Sequence, residues 1–563
     1  MCGLVAGIRL DGNDPNDVAR VLGGVDRLRH RGPDGAGVRT IPTEAWTATL
    51  GMARLKIVDQ SDFPVPMSFQ NGVTLTWCGE IFNWRALRET LSDGTPWETN
   101  CDGEVVARAW RAWGPAMLEE FNGMWGLVLV DTLQQEVFIA RDRAGEKPLY
   151  YAQEGKDVLW AASEIKGLPI SLREGPCPEL HALEYDCTEA TPFVNVKALA
   201  PAHYLHFQPA VGGFLSVRWW NLPEERPTAE APSFEDAVEV LTDLVRDAIS
   251  IRVAPEVRTA VLLSGGLDSA IVQAVAKSSL PYCAVFPEVD PLGAAVLAAQ
   301  GQRLRLVTFG YDDLVGILPK VAWHLDTPAT WTAIIQWYLL EHVARDGAKV
   351  VLTGDGADEL FHGYARHRLL WHLDHAADDP LLSSYGPLRG HLLGTPGALV
   401  GRLLDRSPDG TGAATVADLL ARFAPNAKTL VEATARLEFH TSLQCLLRMA
   451  DRMSAAHAVE SRAPFLDHRV VEYAAALPGS YKITSGRTKA VLREVAAKLG
   501  VPEPIHTDAV KLGFTIPWPS WSARAGGTSG SRGQWDRSAF RAMMEGAWRG
   551  AFGLDHEQLE ETF

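Results

Sequence analysis

Short apolar runs broken by turns dominate the first part of the chain. From residue 1 to about 215, segments such as GLVAGIRLDG, GVTLTWCGE and GMWGLVLVDTLQQEVFIARD alternate apolar and polar positions and end in Gly, Asp or Asn. That two-residue period predicts strands joined by hairpins. DGEVVARAWRAWG has helical spacing instead, so this half is mixed α and β. A polar, proline-containing bridge, NLPEERPTAEAPS, follows and places a domain boundary near residues 221–232. Ser233 with Asp236 then forms a capping pattern ahead of apolar residues at helical spacing. In the second half TAVLLSGG and AKVVLTGDG are short β-branched runs that end in Gly and Asp, each followed by a helical pattern. This alternation predicts a parallel α/β sheet with ligands at the carboxyl ends of its strands. Near the end, SARAGGTSGSRGQ (522–534) reads as a flexible loop before one or two short helices.

At 563 residues the chain exceeds one ordinary core, which agrees with two or more domains. Its formal charge of −16 argues against a nucleic-acid surface. Seven scattered cysteines with no C-x-x-C pair read as reduced thiols of a cytoplasmic protein. The sequence has neither an apolar run of about twenty residues nor a signal-peptide pattern, which argues against a membrane partner and against export.

Two places carry chemistry. Cys2 sits beside the chain start; removal of Met1 would give it a free α-amine, able to act as the base that a thiol otherwise borrows from histidine. The second place is SGGLDS, where Ser264, Gly265, Gly266, Asp268 and Ser269 lie between a strand and a helix. Two glycines, two hydroxyls and a helix N-terminus suit a pyrophosphate. A carboxylate in such a cradle repels phosphate unless a cation intervenes, so Asp268 implies Mg²⁺. The loop TGDGADELFHGY adds Asp355, Asp358 and Glu359 at another strand end.

SGGLDS is similar to the loop of the ATP pyrophosphatases. Joined to MCG at the front, it resembles the glutamine-hydrolysing asparagine synthetase family over Cys2 to about residue 520. RHRGPDG, ARLKIVD, GEIFN, ARDRAGEKPLYYA, SEIKGL, MSAAHAVESRAPFLDHRVVEYAAALP and KAVLRE extend the resemblance in the family's order. It implies an α+β N-terminal-nucleophile αββα sandwich, a class II glutamine amidotransferase domain, over 1–220. An α/β parallel-sheet ATP-pyrophosphatase domain with helical additions follows over 233–520, and a partly flexible C-terminal extension over 521–563.

By matching position, Cys2 would attack the glutamine carboxamide, with Cys78 and Gly79 at the oxyanion site. Arg54, Leu55, Ile57, Glu80 and Asp102 would bind glutamine: Arg54 its carboxylate, Glu80 and Asp102 its α-amine. Leu262, Ser264, Gly265, Gly266, Asp268, Ser269 and Gly354 would bind ATP, Asp268 and Asp358 would hold Mg²⁺, and Asp355 and Lys489 would be catalytic. The substrates implied are glutamine, ATP and a small carboxylic acid, with an internal ammonia tunnel between the domains; analogy with related synthetases offers a homodimer.

The chain also departs from the family. Cys78 stands where an asparagine is usual, and a thiol is a weak donor. Asp355 replaces a glutamate, His362 a glycine, and Ala509 an arginine. The stretch CAVFPEVDPLGAA (283–295), where the acceptor should bind, is unlike the family's sequence. The acceptor is therefore aspartate or a specialised biosynthetic acid. Three alternatives stay open: an ammonia-dependent synthetase with impaired glutaminase, an intramolecular amide-bond former resembling β-lactam synthetase or the lasso-peptide cyclases, and an inactive scaffold.

Overall fold

A computed structural model describes residues 1–10, 12–286, 303–308, 310–328, 331–375, 400, 404–407, 411–507 and 537–554. The stretch 283–295 lies mostly outside these residues, as do Ala509 and the Gly/Ser/Arg stretch 522–534.

The front half is built on twelve strands. These are β1 (Gly3–Arg9), β2 (Gly35–Pro42), β3 (Thr47–Arg54), β4 (Met67–Ser68), β5 (Val73–Ile81) and β6 (Gly123–Asp131), then β7 (Glu136–Arg141), β8 (Tyr150–Glu154), β9 (Val158–Ala162), β10 (Lys197–Ala198), β11 (His203–Gln208) and β12 (Gly213–Arg218). They form two antiparallel six-stranded sheets, ordered β10-β8-β9-β1-β3-β2 and β12-β11-β7-β6-β5-β4. Alternation along each strand sends side chains into different layers. In β1, Leu4, Ala6 and Ile8 meet Val128, Val130 and Ile139 of the other sheet. Val5, between them, faces Val21 and Val25 of the helix Asn16–Arg27. On the far side, Leu75, Trp77 and Leu127 pack under Val105, Val106 and Trp110 of the helix Asp102–Trp113. The layers run helix, sheet, sheet, helix, which is the αββα sandwich expected.

The back half opens on the helix Phe234–Ser250, where Ser233 Oγ accepts the Asp236 N–H at 3.1 Å. Its core is a parallel sheet ordered β15-β14-β13-β16-β17, with β13 (Thr259–Leu262), β14 (Pro281–Val285), β15 (Arg305–Thr308), β16 (Val350–Leu352) and β17 (Glu460–Arg462). Val261 of β13 pairs with Leu352 of β16. The SGG loop after β13 and the TGDG loop after β16 are therefore neighbours at one sheet edge. Past residue 520, the helix Arg537–Phe552 packs against the helix Tyr311–Leu325.

Buried charges join the halves. Arg31, fully buried, donates to Glu164 at 2.6 Å and to Asp451 at 2.8 Å. Arg452 lies 2.9 Å from Glu164 and 3.3 Å from Asp326, while Lys166 reaches Glu164 and sits 2.7 Å from Asp326. Front-half Arg31, Glu164 and Lys166 thus interlock with back-half Asp326, Asp451 and Arg452. Removing one partner of such a set strands the others without water. Glu164→Ala is expected to destabilise the chain by about 3–5 kcal/mol, read as a lower midpoint in urea unfolding followed by tryptophan fluorescence. An unchanged midpoint would mean that the three cations find other partners.

Candidate active sites

The first centre gathers around Cys2, half-buried where the other six cysteines are buried. It precedes β1, and the neighbouring β3 ends in Arg54, so the backbone of Leu55 passes beside the thiol: the Leu55 N–H points to Sγ at 3.5 Å. Arg31 Nε holds the Cys2 carbonyl at 3.0 Å. Burial pushes the thiol up from its usual pKa, with the chain's N-terminal charge, the Leu55 backbone and Arg54 opposing. Met1 is present, and its amine lies 3.2 Å from Glu460. The Cys2 nitrogen is then a peptide amide, so the α-amine read from the sequence exists only once Met1 is removed.

Arg54 is fixed by the carbonyls of Asp59 and Ser61 at 2.6 and 2.8 Å, with its guanidinium 3.6 Å from the Phe63 ring centre. Ile57 is buried among apolar side chains of the back half. Glu80 on β5 and Asp102 at the start of the helix Asp102–Trp113 face each other: Asp102 accepts the Ile81 N–H at 2.9 Å. Burial pushes Asp102 up to about 6. Glu80 rises well above the carboxylate range through burial, then the charges of Asp102 and Glu460. Carboxylates held this way fit a buried α-ammonium.

Cys78 and Gly79 follow one another on β5. Cys78 is fully buried opposite Gly126, and burial pushes its thiol up to about 11, so it is neutral at any ordinary pH. A neutral thiol sealed in the core is a poor nucleophile. Gly79 has φ of +148°, and a Cβ there would lie 2.0 Å from the Met124 carbonyl oxygen. Only glycine gives this backbone its course beside the thiol centre.

The second centre lies at the carboxyl edge of the parallel sheet. Gly265 takes φ of +79°, and Gly266 caps the helix Leu267–Ala276. Ser264 and Ser269 close the loop on itself: the Ser264 N–H donates to Ser269 Oγ at 3.2 Å, and the Gly266 N–H to Ser264 Oγ at 3.3 Å. Leu262, at the end of β13, lines a cavity of about 290 Å³ with these residues, Gly354 and Asp355. A Cβ on Gly354 would come within 2.9 Å of Asp268 Cβ, so glycine lets the two loops touch.

Lys489 joins them. Its Nζ lies 2.6 Å from both Asp268 oxygens and 2.7 Å from Asp358 Oδ1. Burial pulls this ammonium down, and the two carboxylates more than offset it, leaving its pKa above the usual lysine value. Lys489 precedes the helix Ala490–Lys498 with φ of +56°. A Cβ on Gly363 would collide with Asp358 Oδ1 at 1.9 Å and Lys489 Cε at 2.0 Å, so this pairing needs a glycine. Its neighbour His362, where the sequence comparison led us to expect glycine, is buried with φ of +55° and is kept neutral by burial.

Asp355 takes a hydrogen bond from the Thr353 hydroxyl at 2.7 Å, and burial raises it to about 6. Three carboxylates facing one ammonium leave excess negative charge of the kind a divalent cation neutralises. Among the described residues no group of three or more His, Cys, Asp or Glu side chains could hold a metal unaided. Asp268 and Asp358 fit as part of an oxygen shell that phosphate oxygens complete.

Several participants went unread in the sequence. Tyr364 donates to Glu359 at 2.6 Å, and burial with the charge of Asp358 lifts Glu359 to about 8. The two are five positions apart in the TGDGADELFHGY segment, which was the available signal. Thr332, Gln336 and Arg493 also line the cavity. Arg462 and Glu460, in the ESR triplet, reach the first centre from the other half.

Known proteins agree with this geometry. The family profile described as asparagine synthase matches residues 240–558, and the glutamine amidotransferase domain profile matches residues 1–220. A protein of Mycobacterium tuberculosis (strain ATCC 25618 / H37Rv), provisionally named a glutamine-hydrolysing asparagine synthetase, is 28% identical over 591 residues, covering 93% of this chain and 89% of its own. Glutamine-hydrolysing asparagine synthetase 1 of Bacillus subtilis (strain 168) is 26% identical over 543 residues, 87% of this chain and 83% of the relative. With a thiol centre in an αββα sandwich and a glycine loop at a parallel-sheet edge, the chain belongs to the asparagine synthase family, as an ATP-dependent ligase with a glutamine amidotransferase domain in front.

Proposed function

We propose that the chain makes an amide from a small carboxylic acid, with glutamine as nitrogen donor and ATP as activator. The observation that carries this reading is the joining of the two centres by one apolar cluster. Leu55 and Ile57, beside Cys2, belong to the same buried cluster as Leu263, Leu267, Phe361 and Leu466 around the nucleotide loops. Apolar surroundings of this kind between the two centres would favour neutral ammonia over ammonium.

In the first centre the α-amine that Met1 removal frees takes the Cys2 thiol proton, and the sulfur attacks the glutamine carboxamide carbon. That proton passes to the leaving nitrogen as the C–N bond breaks, ammonia departs, and water hydrolyses the thioester to glutamate and restores the thiol. Arg54 holds the α-carboxylate, Glu80 and Asp102 the α-ammonium. Gly79 N–H faces the developing oxyanion, where Cys78 adds little.

In the second centre an oxygen of the acceptor carboxylate attacks the α-phosphorus of ATP and pyrophosphate departs. Ammonia then attacks the acyl carbon, AMP leaves, and the nitrogen loses a proton. The SGG loop cradles phosphates. Asp268 and Asp358 would hold Mg²⁺, which would supply neutralising charge to the phosphates. Lys489 supplies positive charge to the adenylate. Glu359, raised to about 8 and bonded to Tyr364, is our candidate for the amine proton, which it takes in its ionised form.

The lining of the cavity bears on the acceptor. The described lining includes the neutral Thr332, Gln336, Leu339 and Leu446 and the cationic Arg493, a set compatible with aspartate and with a specialised acid alike. The neutral Cys78 thiol favours a second reading, in which glutamine hydrolysis is slow and free ammonia is the working donor.

Three measurements check these assignments. Glutamate release from glutamine by the purified chain is expected to fall more than about 10³-fold in Cys2→Ala, with ammonia-driven amide formation retained; no release from processed wild-type protein would leave the ammonia reading standing. Lys489→Met is expected to lower acceptor-dependent pyrophosphate release by about 10²–10³-fold, measured with an enzymatic pyrophosphate assay across neutral and aspartate-like acids. Iodoacetamide at pH 8, followed by mass spectrometry, is expected to label Cys2 in the folded chain and leave Cys78 unmodified. Raising the pH toward 11 should expose Cys78 as thiolate; labelling of Cys78 at pH 8 would contradict its burial.

A further inference from the structure

The carboxylate assigned to glutamine's α-ammonium is touched from the other domain. We infer that Arg462, on the edge strand β17 of the synthetase sheet, is a positioning residue of the glutamine site that orients the Glu80 carboxylate, so that this site is complete only when the two domains are docked. The inference rests on the proposed reading of Glu80 as an ammonium holder.

Arg462 has little freedom. Its Nε donates to Glu460 Oε1 at 2.8 Å, its Nη1 to the Arg252 carbonyl at 2.9 Å, and its guanidinium lies 5.2 Å from the Phe82 ring centre. Nη2 makes no hydrogen bond among the described residues and stands 3.4 Å from Glu80 Oε1. Its backbone is pinned as well: Arg462 pairs with Leu352 in the sheet, and its carbonyl accepts the Thr353 N–H at 3.1 Å. Two of the three guanidinium nitrogens each make a hydrogen bond, and the third stands beside Glu80. A guanidinium held in this way is a fixed charge.

Glu80, Asp102 and Glu460 are three buried carboxyl groups close enough to act on one another, and Arg462 is the cation that the back half sets beside Glu80. An α-ammonium brought among them finds acidic partners, whereas an anionic ligand does not. Without Arg462, Glu80 keeps its burial and its two acidic neighbours but loses a cation that favours its charged form.

The test is the pH dependence of KM for glutamine in the full chain, from pH 6 to 9, by glutamate release. A carboxyl that must be ionised to bind ammonium makes KM fall as pH rises through its pKa and level off above it. Arg462→Gln is expected to move that inflection upward by about one pH unit, which near neutral pH raises KM about tenfold, while at pH 9 KM returns toward wild type. Arg462→Lys, which keeps the charge and loses the fork, is expected to lie between the two. A merely structural role would lower kcat or the yield of folded protein and leave the inflection in place. Superimposed KM profiles for wild type and Arg462→Gln overturn the inference, and so does an inflection that moves equally in Arg462→Lys and Arg462→Gln. Absence of glutamate release from wild type overturns the glutaminase reading itself, and the inference falls with it.

Discussion

Charges that water cannot reach fix how the two halves of this molecule meet. Arg31, Glu164 and Lys166 on one side and Asp326, Asp451 and Arg452 on the other are all buried. Each loses hydration on docking and recovers the cost only through close partners. An apolar interface tolerates small slides, because its contacts carry no direction. An interface with six dry charges does not, since a displacement of one or two ångströms leaves a charge without a partner. The interlock therefore sets register, and register is what two separated reaction centres need if a volatile intermediate passes between them.

Apolar and ionic parts of the interface do different work. The apolar cluster runs from Leu55 and Ile57 through Leu263 and Leu267 toward Leu466, beside the nucleotide loops. Lys147 lies 3.6 Å from Asp451 and donates to the Ser461 carbonyl at 3.2 Å, next to Arg462. Arg462 itself touches Glu80 with its side chain and Thr353 with its backbone, and Thr353 holds Asp355. One residue thus stands between Glu80, beside the thiol centre, and the acidic loop at the parallel-sheet edge. Rigidity at Arg462 keeps both attachments in a single geometry.

Local chemistry was legible in the sequence, and distant pairing was not. The cap at Ser233, the strand-loop-helix course of SGGLDS and the position of Lys489 ahead of a helix all depend on neighbours within a few residues, and all appear in the fold. Period-two alternation found the strands of the front half, although β3 is buried along its whole length because both faces of its sheet are covered. The role of ESR was hidden. Glu80 and Arg462 are brought together by the docking of two separate sheets, and no local pattern encodes that. The left-handed backbone at His362 was equally illegible, since a histidine there gives no sign of φ +55°.

Cys78 is the clearest departure from the family, and the structure says what kind of departure it is. Gly79 owes its path to β5 and β6: Gly79 pairs with Trp125, and the Met124 carbonyl fills the space a Cβ would need. That path does not depend on the side chain of residue 78. The thiol packs in the core between the sheets and is neutral. On the proposed reading of Gly79 as the oxyanion donor, a thiol in place of an amide removes a side-chain donor, while the backbone course of the glycine is set by β5 and β6. The consequence on that reading is chemical, a weaker grip on the tetrahedral intermediate.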